Sequence, residues 1–327
     1  MTTFFLGRRQ LLAAAMALGA LTAVHAQGDW PRGQTIRMVV PFTAGSGTDI
    51  IARTVGEVMG RNMGQSVIVD NRPGAGGTIA AGAVAKGDAD GYTVLIHSSG
   101  HALNPAIYPN LPYDTLKDLT GVTPLAALPN VMVVSPSRGW KTMADLLAAA
   151  KAKPGALNYG SAGNGSATHL NAEKFKLQAG IDALHIPFKG TPEALNDVMA
   201  GRIDWYFSPL SSALPLIKDG KLQALAVSTP TRAPTLPQVP TTVEAGVPGS
   251  EYTFWVGMIV SSQTPPALIR RLHDEAVKAI GSPEVKERFT QLGAEAFPMT
   301  PEAFNAYIRT EMESASRIAK AAKLQVQ

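Results

Sequence analysis

The chain has 327 residues, 45% of them hydrophobic and 17% charged, enough apolar material for a sizeable core and far from a disordered composition. It contains no cysteine, which excludes a disulfide framework, a thiolate nucleophile, a cysteine metal site and a lipobox anchor. The formal net charge of +4 is partly local: without Arg8 and Arg9 the 29 basic residues fall to 27, against 25 acidic ones. No basic patch with interleaved aromatics occurs, so nucleic acid is not an expected partner.

Residues 1–26 combine Arg8 and Arg9, an apolar run from Leu11 to Val24, and small residues at Val24 and Ala26. This is the pattern of a signal peptide cut after Ala26, and the run is too short to span a membrane comfortably. The order Arg8-Arg9-Gln10-Leu11-Leu12 leaves the Sec and twin-arginine routes both open. The expected product is a soluble periplasmic protein of two domains, 27–128 with 255–327, and 129–254.

The first strand, Ile36–Val40, runs into a Gly/Ser/Thr loop and a helix opening near Thr48 or Asp49. Small residues entering a helix leave backbone N–H groups unpaired, and with the helix dipole these hold an anion without any cationic side chain. An ordinary tight βα turn needs the same glycines. Asp49 and Arg53, four apart, are expected to pair as a modest helix stabiliser. A second strand, Ser66–Asp70, leads into the glycine-rich loop Asn71–Thr78 and the small-residue helix Ile79–Ala85. No Gly-Lys-Ser/Thr follows, which excludes a Walker A loop, and the glycine spacing does not fit a dinucleotide fingerprint. Recognition of an anion or amide by backbone is the reading that remains, and no cofactor is expected.

A third strand, Tyr92–His97, ends in Ser98, Ser99, Gly100 and His101. Ligands of open α/β sheets collect outside the carboxyl ends of strands, so three such ends line one crevice. His97 and His101 lack a third ligand or a carboxylate nearby, and no metal is expected there. Proline-rich segments, Asn104–Pro112 and Thr123–Pro129, precede the run Asn130–Ser135.

The pattern then starts again. Thr142 and Asp145 form a capping box for a helix over 142–153. Asn158–His169 repeats strand, Gly/Ser loop and helix start. Strands are expected at Ile181–Pro187, Arg202–Ser208 and Lys221–Ser228, with Thr191 as an N-cap and Pro192 at the first helical position. Glu251–Ser261 reads as a strand returning to the first domain. Three amphipathic helices follow at Pro266–Ile280, Pro283–Leu292 and Pro301–Ala322. Two α/β lobes joined by two crossing strands make a hinge over a cleft, the closing geometry of periplasmic binding proteins.

The chain resembles the Bug family, the substrate-binding receptors of tripartite tricarboxylate transporters, over essentially all of its mature length. The motifs that carry the resemblance are PFTAGSGTDIIAR (41–53), NRPGAGGTIAA (71–81), DADGYTVL (88–95), NYGSAGNGSATHL (158–170), HIPFKGTPEALNDVMAGRID (185–204) and KLQALAVSTPTRAPTLPQVPTTVEAG (221–246). The first loop has Thr43-Ala44-Gly45-Ser46 where the family often shows prolines and paired glycines, a departure that bears on ligand choice.

The resemblance implies a type II periplasmic binding fold, delivery to membrane transporter subunits, and a small di-, tri- or aromatic carboxylate held by backbone amides, hydroxyls and water. The first-lobe end would be Phe42, Gly45, Ser46, Gly47 and Thr48 with Gly76, Gly77 and Thr78, alongside Ser98 and Ser99 from the third strand end. The second-lobe end would be Ser161, Gly163, Ser166 and Thr168, with Lys189 or Thr191 nearby. Asp204 either accepts from a ligand amine or hydroxyl or serves structure, the favoured role, since a buried acid needs partners before it needs ligands. A monomer without catalytic residues is expected. Hydrolysis finds no support, because Ser166 and His169 share one helix start and no Gly-x-Ser-x-Gly elbow is present. A receptor that signals to a periplasmic sensor would have the same cleft.

Overall fold

The structure is a computed structural model that describes residues 30–31 and 33–324. The segment expected to be a signal peptide, 1–26, lies outside the described residues. From Thr35 onward the chain forms one folded unit. In chain order its elements are β1 (Ile36–Val40), α1 (Gly47–Met63), β2 (Val67–Asn71), α2 (Thr78–Ala85), β3 (Thr93–Ser98), α3 (Asn104–Ile107) and β4 (Leu119–Val134). There follow α4 (Met143–Ala152), β5 (Asn158–Ser161), α5 (Ala167–Ala179), β6 (Leu184–Pro187), α6 (Thr191–Met199), β7 (Trp205–Pro209), α7 (Leu210–Lys218) and β8 (Gln223–Val227). The chain finishes with β9 (Thr253–Ser261), α8 (Pro266–Ile280), α9 (Pro283–Leu292), β10 (Glu295–Ala296) and α10 (Pro301–Ala321).

Strand order along the sheet is β2-β1-β3-β9-β4-β7-β5-β6, with β8 and β10 each added beside β4. The β1, β2 and β3 pairings are parallel, as the intervening helices require, and so are β5 with β6 and β7. Strand β4 is the shared element. Its first half pairs antiparallel with β9, and its second half pairs with β7 and β8.

That strand begins eleven residues before Asn130, so the proline-rich run Thr123–Pro129 is strand. Its register against β9 shifts between Gly121 and Thr123 and again between Pro124 and Ala126. Bulges of this kind absorb residues that break a regular ladder, including proline. The return crossing also differs from expectation. All of β9 lies in the first sheet, and the crossing is made just before it, where Tyr252 N–H donates to Ser228 O and Ser228 Oγ donates to Tyr252 O, each at 2.7 Å. Helix α7 is additional to the elements expected, its signal masked by Pro215 inside it.

Alternation sorts the second sheet's side chains to two cores. Trp205 and Phe207 pack with Tyr159 and Phe175 on one face, while Tyr206 between them packs with Val131 and Leu210 on the other. Each such aromatic, fully buried, contributes on the order of 2–3 kcal/mol by area. This packing holds the loops at the strands' carboxyl ends in place.

Candidate functional site

The loop after β1 is shaped by Gly45, whose φ of 86° favours glycine, and by Ser46, which is extended at φ −67°, ψ 153° before α1 begins. Asp49, in the first turn of α1, reaches back and accepts the Gly45 N–H at 2.9 Å. The same carboxylate receives Arg53 Nε at 3.0 Å and Asn71 Nδ2 at 2.9 Å, and Asn71 Nδ2 also donates to Phe42 O at 2.9 Å. Asp49 and Arg53 therefore do more than steady a helix: with Asn71 they tie the first loop to the start of the second. Ser46 makes no side-chain cap. Its Oγ instead accepts the N–H of Thr191 from the opposite side of the cleft at 3.1 Å. Gly47, Thr48 and Asp49 are buried, and their N–H groups have no acceptor within the helix.

The loop after β5 repeats this geometry. Gly165 has φ 80°, and Ser166 is extended at φ −70°, ψ 160° before α5. Here Ser166 Oγ caps its own helix by accepting His169 N–H at 3.3 Å, and His169 Nδ1 reaches back to accept the Gly165 N–H at 3.3 Å. Thr168 Oγ1 accepts the Ala162 N–H at 2.9 Å and lies 3.1 Å from Ser166 Oγ. The two loops share the pattern Gly-Ser-x-Thr-x, at 45–49 and 165–169.

These ends face one another. The cleft is lined by Phe42, Ser46, Gly47, Thr48 and Ser98 on one side, and by Ala162, Ser166, Ala167, Thr168, Thr191 and Pro209 on the other, with Phe254 between. No lysine or arginine lines it. Ser98 Oγ is fully buried and has no hydrogen-bond partner. Further bonds cross the cleft: Thr43 Oγ1 donates to Glu193 at 2.9 Å, Ser212 Oγ to Gly45 O at 3.0 Å, and Tyr108 OH to Asn164 O at 2.8 Å. The remaining cavity is only about 10 Å³, so the two sides are closed on one another. A Cβ on Gly190 would stand 2.0 Å from Thr43 Oγ1, and one on Gly76 would stand 1.9 Å from Asn164 O. Closure of this depth requires glycine at both positions.

Of the other residues picked from the sequence, Gly77 packs against His97, where a Cβ would lie 2.2 Å from Nε2, and Thr78 opens α2 nearby. Gly163 approaches Phe188 O and Gly76 N. Ser161 faces inward, its Oγ 2.6 Å from His185 Nε2 and accepting Gly163 N–H at 3.0 Å, so it shapes the loop from beneath. Ser99 is turned to the hinge, its Oγ 2.8 Å from Tyr252 OH. Lys189 is exposed and does not line the cleft. Thr191 is the first helical residue, with Gly190 as the N-cap, because the Thr191 N–H is given to Ser46. Its Oγ1 lies 3.1 Å from Tyr206 OH. Asp204 belongs to the opposite end of the sheet: it pairs with Arg138 and accepts the Asn158 N–H at the amino ends of β7 and β5. Its partners are structural, in line with the role favoured for it, and it does not line the cleft.

Histidines are the feature least visible beforehand. His169 and His185 stack with ring centroids 4.0 Å apart, and Tyr159 and Trp205 continue the column. Burial pushes the His169 pKa down to about 4, helped by the charge of Lys176. Burial, then the neighbouring His169, pushes His185 down to about 3. Burial lowers His97 well below the usual imidazole value, and His101 falls to about 4 for the same reason. The repeated Gly-Ser-x-Thr-x pattern was the signal that would have singled out His169. Among the described residues no group of three or more His, Cys, Asp or Glu is placed to hold a metal.

Two α/β lobes closing loop-first over a cleft, with a shared strand between them, define a periplasmic binding fold. The family model of the tripartite tricarboxylate transporter family receptor matches residues 51–324, and the chain belongs to that family, which includes the Bug proteins. BugT of Bordetella pertussis is 33% identical over 293 residues, 89% of this chain and 90% of that one. Among solved structures, R. palustris Rpa4515 with adipate superposes with a TM-score of 0.87 at 35% identity, covering 91% of this chain and 99% of that one. MatC (Rpa3494) from Rhodopseudomonas palustris, with bound malate, has a TM-score of 0.84 at 29% identity and covers 88% and 99%. The matched family is one of receptors, and among the described residues no helix is long and apolar enough to cross a membrane.

Proposed function

We propose that the protein is an exported, soluble, monomeric receptor that captures a small carboxylate in the periplasm and delivers it to a tripartite transporter without chemical turnover. The first lobe is taken as 27–128 with 255–327 and the second as 129–254. The observation that carries the reading is the pair of facing Gly-Ser-x-Thr helix starts in a cleft lined by no basic residue. One ligand carboxylate sits at the N-terminus of α1, with Ser98 Oγ and the Gly76–Thr78 loop beside it. A second acceptor group sits at the N-terminus of α5, against Ser166 and Thr168. Phe42 and Phe254 flank the carbon skeleton. Ligand binding favours the closed state by differential affinity, and the membrane partner reads that state.

The test is thermal stabilisation of the chain from Gln27 onward by adipate, malate, citrate, benzoate and a neutral diol control. A ligand that binds only the folded state raises the melting temperature with its occupancy. A rise with one or more of the acids and none with the diol is expected. A folded protein that none of the acids stabilises overturns the carboxylate reading. Ser166→Ala is expected to weaken the best acid by about 0.5–3 kcal/mol, the range for hydrogen bonds including those to charged groups.

A further inference from the structure

The capping box of α5 departs from the usual chemistry. In the common form, a Ser or Thr N-cap is paired with Glu, Gln or Asp three residues on, and that side chain accepts a backbone N–H at the helix entrance. Helix α4 has this form: Thr142 accepts Asp145 N–H, and Asp145 accepts the N–H groups of Thr142 and Lys141. At α5 the same task falls to an imidazole. His169 Nδ1 accepts Gly165 N–H while Ser166 Oγ accepts His169 N–H. An Nδ1 that accepts leaves the ring proton on Nε2, so the ring is neutral.

We propose that His169 is a positioning residue for the second-lobe end of the ligand cleft, supplying the capping acceptor without the negative charge that a carboxylate would place beside the bound anion. The inference rests on the carboxylate-receptor reading above. Burial suits it, since His169 is 4% exposed, and a carboxylate in its place would be desolvated and close to the α5 N-terminus, where anions are drawn. The groups facing the ring keep it uncharged. His185 from β6 stacks on it, Tyr159 from β5 lies parallel beyond, and the Lys176 ammonium on α5 itself is held by Glu173 at 2.8 Å. The first lobe solves the same problem otherwise. There Asp49 does carry the charge, and Arg53 and Asn71 are bound to it.

The experiment compares His169→Asn and His169→Asp with the wild-type chain from Gln27 onward, by titration calorimetry with adipate and malate at pH 7.5. Both substitutions offer a side-chain oxygen near the place of Nδ1, and only one is charged. The Asn variant is expected to bind the preferred acid within threefold of wild type, and the Asp variant at least tenfold more weakly, with both melting cooperatively. Equal affinities in the two variants overturn the role given to the charge. Should either variant fail to fold, long-range proton–nitrogen correlation on the wild-type imidazoles decides. Nδ1 of His169 unprotonated and Nε2 protonated supports the arrangement, and a proton on Nδ1 overturns it. A wild type that binds neither these two acids nor any other of the panel overturns the receptor reading together with this one. A wild type that binds, with Asn and Asp alike, overturns this one alone.

Discussion

The two helix entrances that face each other, Gly45–Asp49 and Gly165–His169, have the same backbone and different electrostatics. Each has a left-handed glycine, an extended serine at the N-cap position, and a side chain from the third helical residue reaching back to the glycine N–H. In the first, the acceptor is an aspartate whose charge is balanced by Arg53 and which also accepts from Asn71, and the serine is lent to the opposite lobe. In the second, the acceptor is a neutral imidazole and the serine caps its own helix. On the receptor reading proposed above, the difference teaches that an anion site without net side-chain charge is reached either by compensating a charge or by never introducing one. It also gives the two lobes separate roles: Ser46 joins closure, whereas Ser166 holds its own loop.

Acid breaks this comparison most strongly. Three buried histidines and the half-buried His185 have folded-state pKa values below the unfolded value near 6.5, with His169 and His101 at about 4 and His185 at about 3. The unfolded chain therefore binds more protons below that value. Stability is fully present above about pH 6.5 and falls as pH drops toward 4, by up to about 1.4 kcal/mol per unit for each imidazole. Urea unfolding at pH 7.5, 6 and 5 reads the slope, and His169→Asn is expected to make it shallower by one imidazole's share. A stability that is flat from pH 7.5 to 5 contradicts the assignment of neutral, buried rings.

Next in size is Asp49→Ala, which removes the acceptor of Gly45 N–H and one of the two acceptors of Asn71 Nδ2 in the first loop. A loss of about 1–3 kcal/mol in unfolding free energy is expected, the scale of part-buried hydrogen bonds to a charged group. Arg53 is half exposed and adds little. The smallest effect separates the serines. Ser166→Ala removes an N-cap and is expected to lower apo stability by about 1 kcal/mol. Ser46→Ala caps nothing and is expected to leave apo stability nearly unchanged in the open form while weakening ligand affinity through closure. Equal losses of apo stability for the two would erase the distinction between them.

Much of this molecule was legible in the residues. The alternation of strands, glycine loops and amphipathic helices gave the two α/β lobes, because local periodicity and capping chemistry act within a few residues. The motifs also pointed to strand ends that the structure brings together: Phe42, Ser46–Thr48, Ser98, Ser166, Thr168 and Thr191 line one cleft. Misreadings arose wherever a distant partner decided the outcome. Pro124 and Pro129 sit in a strand because β9 and bulges accommodate them, and Thr191 gives its N–H across the cleft, whereas Asp204, paired with Arg138 at the far edge, has the structural role favoured for it.

By itself, then, the sequence determined the fold class and the backbone shape of the two helix entrances, since glycine, serine and threonine before a helix dictate local conformation. Only the tertiary structure decided which hydroxyls remain for a ligand and which, like Ser161 and Ser99, are already committed, and why His169 stays neutral. Those outcomes depend on burial and on groups many residues away, and neither is encoded in any short run of the chain.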